Sequence, residues 1–178
     1  MLPLSRLLPP TLLAFVLTAC VPAQHLTSAA RETAVPLATG CVSGYTRPDF
    51  AALERDLAAA RAKWKAANVR DYSYDFAQIA APVLLPTTRV TVRGGTVQGV
   101  RLVAGQTGQP SAQARATIED RFASIAQALA AQKDRPCPAA QAEYDPRDGH
   151  PTRFYSGSRE ADIADGWGEW KITNFTRP

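Results

Sequence analysis

A chain of 178 residues with 20 Lys and Arg against 16 Asp and Glu carries a formal net charge of +4, too weak and too dispersed for a nucleic-acid groove. Its length fits one domain around one modest hydrophobic core, not two domains of ordinary size. The three cysteines include no CxxC pair and the two histidines, His25 and His150, stand far apart, so the usual zinc-ligand spacings are excluded and no cofactor or metal motif is present to assign.

Residues 1–19 read as a secretory signal: a charged start from Met1 to Arg6, an apolar stretch from Leu7 to Ala19, and small residues at the cut. The stretch is too short and too broken by Pro9 and Pro10 to span a bilayer, which takes roughly 20 apolar residues. Leu17-Thr18-Ala19-Cys20 resembles a bacterial lipobox, in which Cys20 is acylated with diacylglycerol and a further chain such as palmitate and becomes the mature N-terminus. Each buried methylene adds about 0.8 kcal/mol, so several chains hold a protein on a membrane where one does not. The expectation is a protein anchored to the membrane without spanning it, in the bacterial cell envelope. Val21 stands where aspartate would retain it, so the outer membrane or cell surface is expected, facing the periplasm or exterior. The alternative is an ordinary signal peptide cut near Ala23, with Cys20 discarded.

Removing Arg6 with the signal leaves a formal +3. From residue 20 to 47 the chain is rich in Pro, Ala, Ser, Thr and Gly, a flexible tether that reaches some 30 Å by coil scaling. With Cys20 used for lipid, Cys41 and Cys137 form an even pair in an oxidising compartment, and a disulfide is expected; free thiols or an intermolecular bond are the alternatives. Such a bond closes a loop of nearly a hundred residues, for which chain entropy gives about 4 to 5 kcal/mol.

The domain is expected over residues 48–178. Phe50, Leu53, Leu57, Ala60 and Trp64 recur at spacings of three and four, a helix capped by Thr46 or Asp49 and stopped at Asn68. Basic blocks such as Arg61-Ala62-Lys63-Trp64-Lys65 fall on its solvated face. Tyr72, Tyr74 and Phe76 alternate with Ser73, Asp75 and Ala77 as a strand. Arg89 to Arg93 and Thr96 to Val103 flank Gly94-Gly95 as a hairpin. After a loop from Ala104 to Gln113, Ile118, Phe122, Ile125 and Leu129 form the stripe of a second helix, with Thr117 and Asp120 at capping-box spacing. Ala139 to Tyr144, Arg153 to Ser156 and Trp170 to Phe175 complete the strands. The fold class is therefore α+β: a single antiparallel sheet covered on one face by two helices, in the order α-β-β-β-α-β-β-β.

The turn Asp145-Pro146-Arg147-Asp148-Gly149-His150-Pro151 is explained by turn chemistry, since Pro146 presets φ, the aspartates bond nearby amides and Gly149 takes positive φ. It is also the one place where Glu143, Asp145, Asp148 and His150 could form an acidic ligand set or an acid-base pair. Glu160, Asp162, Asp165 and Glu169 interleave with Trp167 and Trp170, either as a solvated loop with its tryptophans packed on the sheet edge or as a ligand platform. No nucleophile elbow, HExxH or glycine-rich phosphate loop occurs, so no catalytic residue is assigned and an enzyme is not expected.

Trp64, Tyr72-Ser73-Tyr74-Asp75-Phe76, Val90-Thr91-Val92-Arg93-Gly94-Gly95, Thr117-Ile118-Glu119-Asp120, Tyr144-Asp145-Pro146 with Gly149-His150-Pro151-Thr152, and the Trp170 to Phe175 segment resemble a bacterial lipoprotein family catalogued only as a domain of unknown function. The resemblance runs from about Lys63 to the end. Members usually carry tyrosine where His150 stands, and many have a close cysteine pair where this chain has Gln78 to Leu85. The resemblance implies localisation and fold and supplies no activity. The expected function is a non-catalytic module that binds an envelope protein, peptide or polymer, with Asp145, Asp148, His150, Trp167 and Trp170 as candidate contacts and no nucleic-acid partner. The alternatives are a metal-dependent hydrolase or calcium-binding protein using Glu143, Asp145, Asp148 and His150, and, by fold analogy, an inhibitor-like module.

Overall fold

The computed structural model describes residues 40–178; the signal, Cys20 and the tether to residue 39 lie outside the described residues. The elements run α1 (Phe50–Ala67), β1 (Tyr72–Ala80), β2 (Val83–Arg93), β3 (Thr96–Leu102), a 3-10 turn at Ala112–Ala114, α2 (Ile118–Gln132), β4 (Pro138–Tyr144), β5 (Pro151–Ser158) and β6 (Trp167–Thr176). All strands belong to one open antiparallel sheet in the order β3-β2-β1-β6-β5-β4. Two three-strand meanders thus join where β1, the first strand, pairs with β6, the last. The expected α+β architecture is the observed one.

Local chemistry sets these boundaries. Asp49 caps α1 by accepting from the Ala52 amide at 2.9 Å, and Asn68 ends it in the left-handed region at φ 47°. Gly94 and Gly95, at φ 59° and 77°, turn the β2–β3 hairpin as two-residue loops demand. Thr117 and Asp120 form the capping box of α2. β2 begins six residues before Arg89, the start of the alternating run, and pairs Val83, Leu84 and Leu85 with the end of β1. No burial alternation marks that stretch because Val83 and Leu84 are exposed at the hairpin tip.

Alternation places Tyr72, Tyr74, Phe76, Val90, Val92, Phe154, Trp170 and Ile172 in one core with Leu57 and Trp64 of α1 and Ile118, Phe122, Ile125 and Leu129 of α2. Each large apolar side chain so buried stabilises the fold by about 1.5–3 kcal/mol relative to exposure. Two of them also position α2. The Tyr72 hydroxyl accepts from the Ile118 amide at 2.9 Å, and the Tyr74 hydroxyl donates to the Ala116 carbonyl at 2.5 Å. Burial raises the pKa of both phenols, so both stay protonated. Across the sheet, charged side chains pair between adjacent strands: Arg89 of β2 with Asp75 of β1, and Arg153 of β5 with both Glu143 of β4 and Glu169 of β6.

The disulfide joins Cys41 to Cys137 across 96 residues of sequence. Val42 donates to the Arg159 carbonyl at 2.9 Å and the Tyr45 hydroxyl to the Pro138 carbonyl at 2.9 Å. The last residues of the expected tether are therefore clipped to the β4–β5 end of the sheet.

Candidate functional site

Turn chemistry accounts for most of the polar contacts of the Asp145–Pro151 hairpin. The Asp145 amide donates to the His150 carbonyl at 2.8 Å and the Gly149 amide to the Asp145 carbonyl at 2.9 Å. Arg147 holds the Asp145 carboxylate through its side chain and its amide, lowering that pKa to about 2 against the opposing effect of burial. Asp148 is only 4% exposed. Burial pushes its pKa up, but the His150 amide at 3.0 Å, the His150 ring Nδ1 at 2.6 Å and the Arg177 guanidinium bring it below the usual range on balance. The His150 ring stacks on Phe175 at 4.1 Å and meets Trp64 edge-on. Lys63 on α1 donates to the Pro146 carbonyl at 2.8 Å.

Ligand atoms of Asp145, Asp148 and His150 lie within 4.8 Å of one another, so the structure brings three of the four predicted candidates together. Glu143 is not among them: it pairs with Arg153 at 2.9 Å, on the register neighbour across from it. The oxygens of both aspartates already accept from donors of this chain.

A different set of side chains surrounds the cleft between α2 and the near ends of β1, β5 and β6. Its volume of about 680 Å³ lies in the range of small-ligand sites. Its chemistry comes from Gln78, Gln113, Arg121, Ser124, Trp167 and Trp170. Arg121 sits three residues after Ile118, on the inward stripe of α2, and is 5% exposed. Its guanidinium stacks 3.8 Å above the Phe76 ring centroid and 5.5 Å from that of Trp170. Nη2 donates to the Gln113 and Ala114 carbonyls at 2.8 and 3.3 Å, whereas Nε has no partner. Among the described residues no Asp or Glu forms an ion pair with it. Burial pushes the Arg121 pKa down, and the neighbouring Tyr74 hydroxyl and, beyond ion-pair distance, the Asp120 carboxylate oppose that; an arginine nonetheless remains charged.

The wall beside Arg121 is amide. Gln78, buried on β1, donates to the Gln113 side chain and accepts from the Ser111 hydroxyl at 3.2 Å. Trp170 packs between Phe76 and Phe154, and Trp167 lies against Tyr155. Both predicted tryptophans thus line the cleft, while Asp145, Asp148 and His150 do not. Arg121, Gln78 and Gln113 escape the sequence reading. The first two leave a signal in the pattern: Arg121 is a charge on an apolar helical stripe, and Gln78 continues the inward series Tyr72, Tyr74, Phe76. A cation, two amides and an aromatic floor can hold an anionic group; among the described lining residues none is His, Cys or Lys.

Residues 56–177 match the model of DUF6174, a family of unknown function, and the chain belongs to that family. Comparison with curated proteins and with solved structures gives no match.

Proposed function

We propose that this member of a family without an assigned activity is a lipid-anchored, non-catalytic binding module of the cell envelope that holds its ligand in the Arg121 cleft. The anchor rests on the Leu17-Thr18-Ala19-Cys20 pattern and the tether that follows. A disulfide suits an oxidising compartment of that kind. The observation that carries the binding reading is the guanidinium of Arg121, buried at the edge of a cleft with no ion-pair partner among the described residues. Taking a cation out of water costs several kcal/mol unless a partner offsets it, and two carbonyls and a ring face offset only part of that cost. A bound anion supplies the remainder. The lining favours binding over catalysis, because neither of its serines, Ser124 and Ser156, is hydrogen-bonded to a carboxylate or an imidazole among the described residues.

Photo-crosslinking in the native envelope tests this reading. A photoreactive residue at Asp165, on the cleft rim, is expected to give a discrete adduct in the full-length protein. Ser124→Phe, which fills the mouth from the exposed face of α2, removes that adduct. An adduct pattern indifferent to Ser124→Phe overturns the reading.

The clustering of Asp145, Asp148 and His150 supports a second reading, a metal site. Calcium takes six to eight oxygens, and the binding-module reading expects neither calcium nor zinc to raise the melting temperature. A rise that Asp148→Asn abolishes would establish the metal site instead.

A further inference from the structure

We infer that the Arg121 cleft recognises the free C-terminal carboxylate of a peptide with small side chains. This rests on the cleft being the ligand site. A single guanidinium without an ion-pair partner calls for a monoanion: Nη2 is held by the Gln113 and Ala114 carbonyls, and Nη1, which has no partner among the described residues, is left to donate to a carboxylate oxygen. The rim decides against a dianion. Asp120, Asp165 and Glu169 also line the cleft; Asp120 is engaged by the Thr117 cap and Glu169 by Arg153 and Lys171, but Asp165 has no ion-pair or hydrogen-bond partner among the described residues. A phosphate dianion would meet those three carboxylates with one cation to hold it. A peptide brings one negative charge for Arg121 and N–H donors for the acidic rim.

The amide part of the lining is equally suited to a peptide group. Gln78 and Gln113 line the cleft with Arg121, and beyond the bond between them the Gln113 Nε2–H groups can donate to a carbonyl. Beyond them the wall is Ala80, Ala81, Ala116 and Ala128 with the Trp170 and Phe154 rings. Small apolar groups on that wall suit a small apolar side chain. A free amino acid offers the same carboxylate but no peptide carbonyl or N–H for the Gln78 and Gln113 amides.

The test uses the full-length mature protein in detergent micelles. Trp167 and Trp170 line the cleft, so their fluorescence reports occupancy. Four probes are titrated: N-acetyl-alanyl-alanine, its C-terminal amide, free alanine and inorganic phosphate. The inference expects a saturable change with N-acetyl-alanyl-alanine and at least tenfold weaker binding of the other three. Arg121→Lys, which keeps the charge and loses the Nη1 donor while the Gln113 and Ala114 carbonyls still compete for the ammonium, should weaken the dipeptide at least tenfold. Ser124→Phe should abolish binding, with circular dichroism unchanged; that exposed position keeps the test decisive even where Arg121→Lys does not fold. Equal binding of the amide, preference for alanine or phosphate, undiminished binding by a folded Arg121→Lys, or no binding of the dipeptide each overturns the peptide assignment. If the envelope adduct still depends on an open cleft, the site stands and only its ligand class falls; if the adduct ignores Ser124→Phe, both fall together.

Discussion

Gly149→Ala separates the backbone strain of the hairpin from its packing on α1. Gly149 sits at φ +82°, where an L-residue pays about 1–2 kcal/mol. A Cβ there is driven into the carbonyl oxygen of Ala60, with the Ala60 carbonyl carbon and the Lys63 Cβ each 3.1 Å away. The backbone of α1 cannot yield as a side chain can, and overpacking of this kind adds about 1–3 kcal/mol. The total is about 2–5 kcal/mol, which for a chain of this length lowers the melting temperature by roughly 5–15 °C. Gly94→Ala provides the control. It has φ +59° and nothing within 4 Å of its added Cβ, so it should lose only the backbone part, about 1–2 kcal/mol. Urea unfolding of both variants reads the difference. Equal losses would refute the close docking of the hairpin on α1.

Cys20→Ala should abolish fatty-acid labelling and membrane fractionation; a variant that stays on the membrane removes the case for the lipid anchor. Alkylation mass spectrometry of the exported protein should find Cys41 and Cys137 bonded, and Cys41→Ser should cost about 2–5 kcal/mol of stability; free thiols in the oxidised protein would contradict the structure. The carboxylates of Asp145, Asp148 and Glu169 all titrate below their usual range in the folded chain. Their stabilising contribution is therefore fully present above about pH 4 and is lost as pH falls through their folded values, near 2 for Asp145. Acid titration of Asp145→Asn should show a shallower loss between pH 4 and 2 than the wild type, and an unchanged slope would refute the Asp145–Arg147 contribution.

The fold was legible because its signals are local and periodic. Gly94-Gly95 names a hairpin, Thr117 with Asp120 names a helix start, and the strand tyrosines mark one face by alternation. Loop length then makes neighbouring strands antiparallel. Pairing of β1 with β6 lies beyond such signals, since no short-range pattern links Phe76 to Ile172. The site divides in the same way. Asp145, Asp148 and His150 converge because they share one turn, and Trp167 and Trp170 reach the cleft because they share one strand. Arg121, Gln78 and Gln113 come from a helix, a strand and a 3-10 turn, and only the closed core makes them neighbours. Their trace in the sequence is a polar residue at an inward position, and that pattern does not say whether the group is satisfied. That Arg121 has no ion pair depends on where the lining carboxylates are engaged, Asp120 by the Thr117 cap and Glu169 by Arg153 and Lys171.

Whether Arg121 is a cation kept for a ligand is tested most directly by its own side-chain Nε–H resonance in the ¹⁵N-labelled protein, titrated with N-acetyl-alanyl-alanine. In the ligand-free protein that proton has no acceptor, and a carboxylate on the guanidinium must shift it, to saturation and with the same midpoint as the tryptophan fluorescence. The C-terminal amide at the same concentrations should leave it in place. A resonance unmoved by saturating dipeptide, or moved equally by the amide, would contradict the claim and return Arg121 to the role of a clamp between α2 and the Gln113–Ala114 turn.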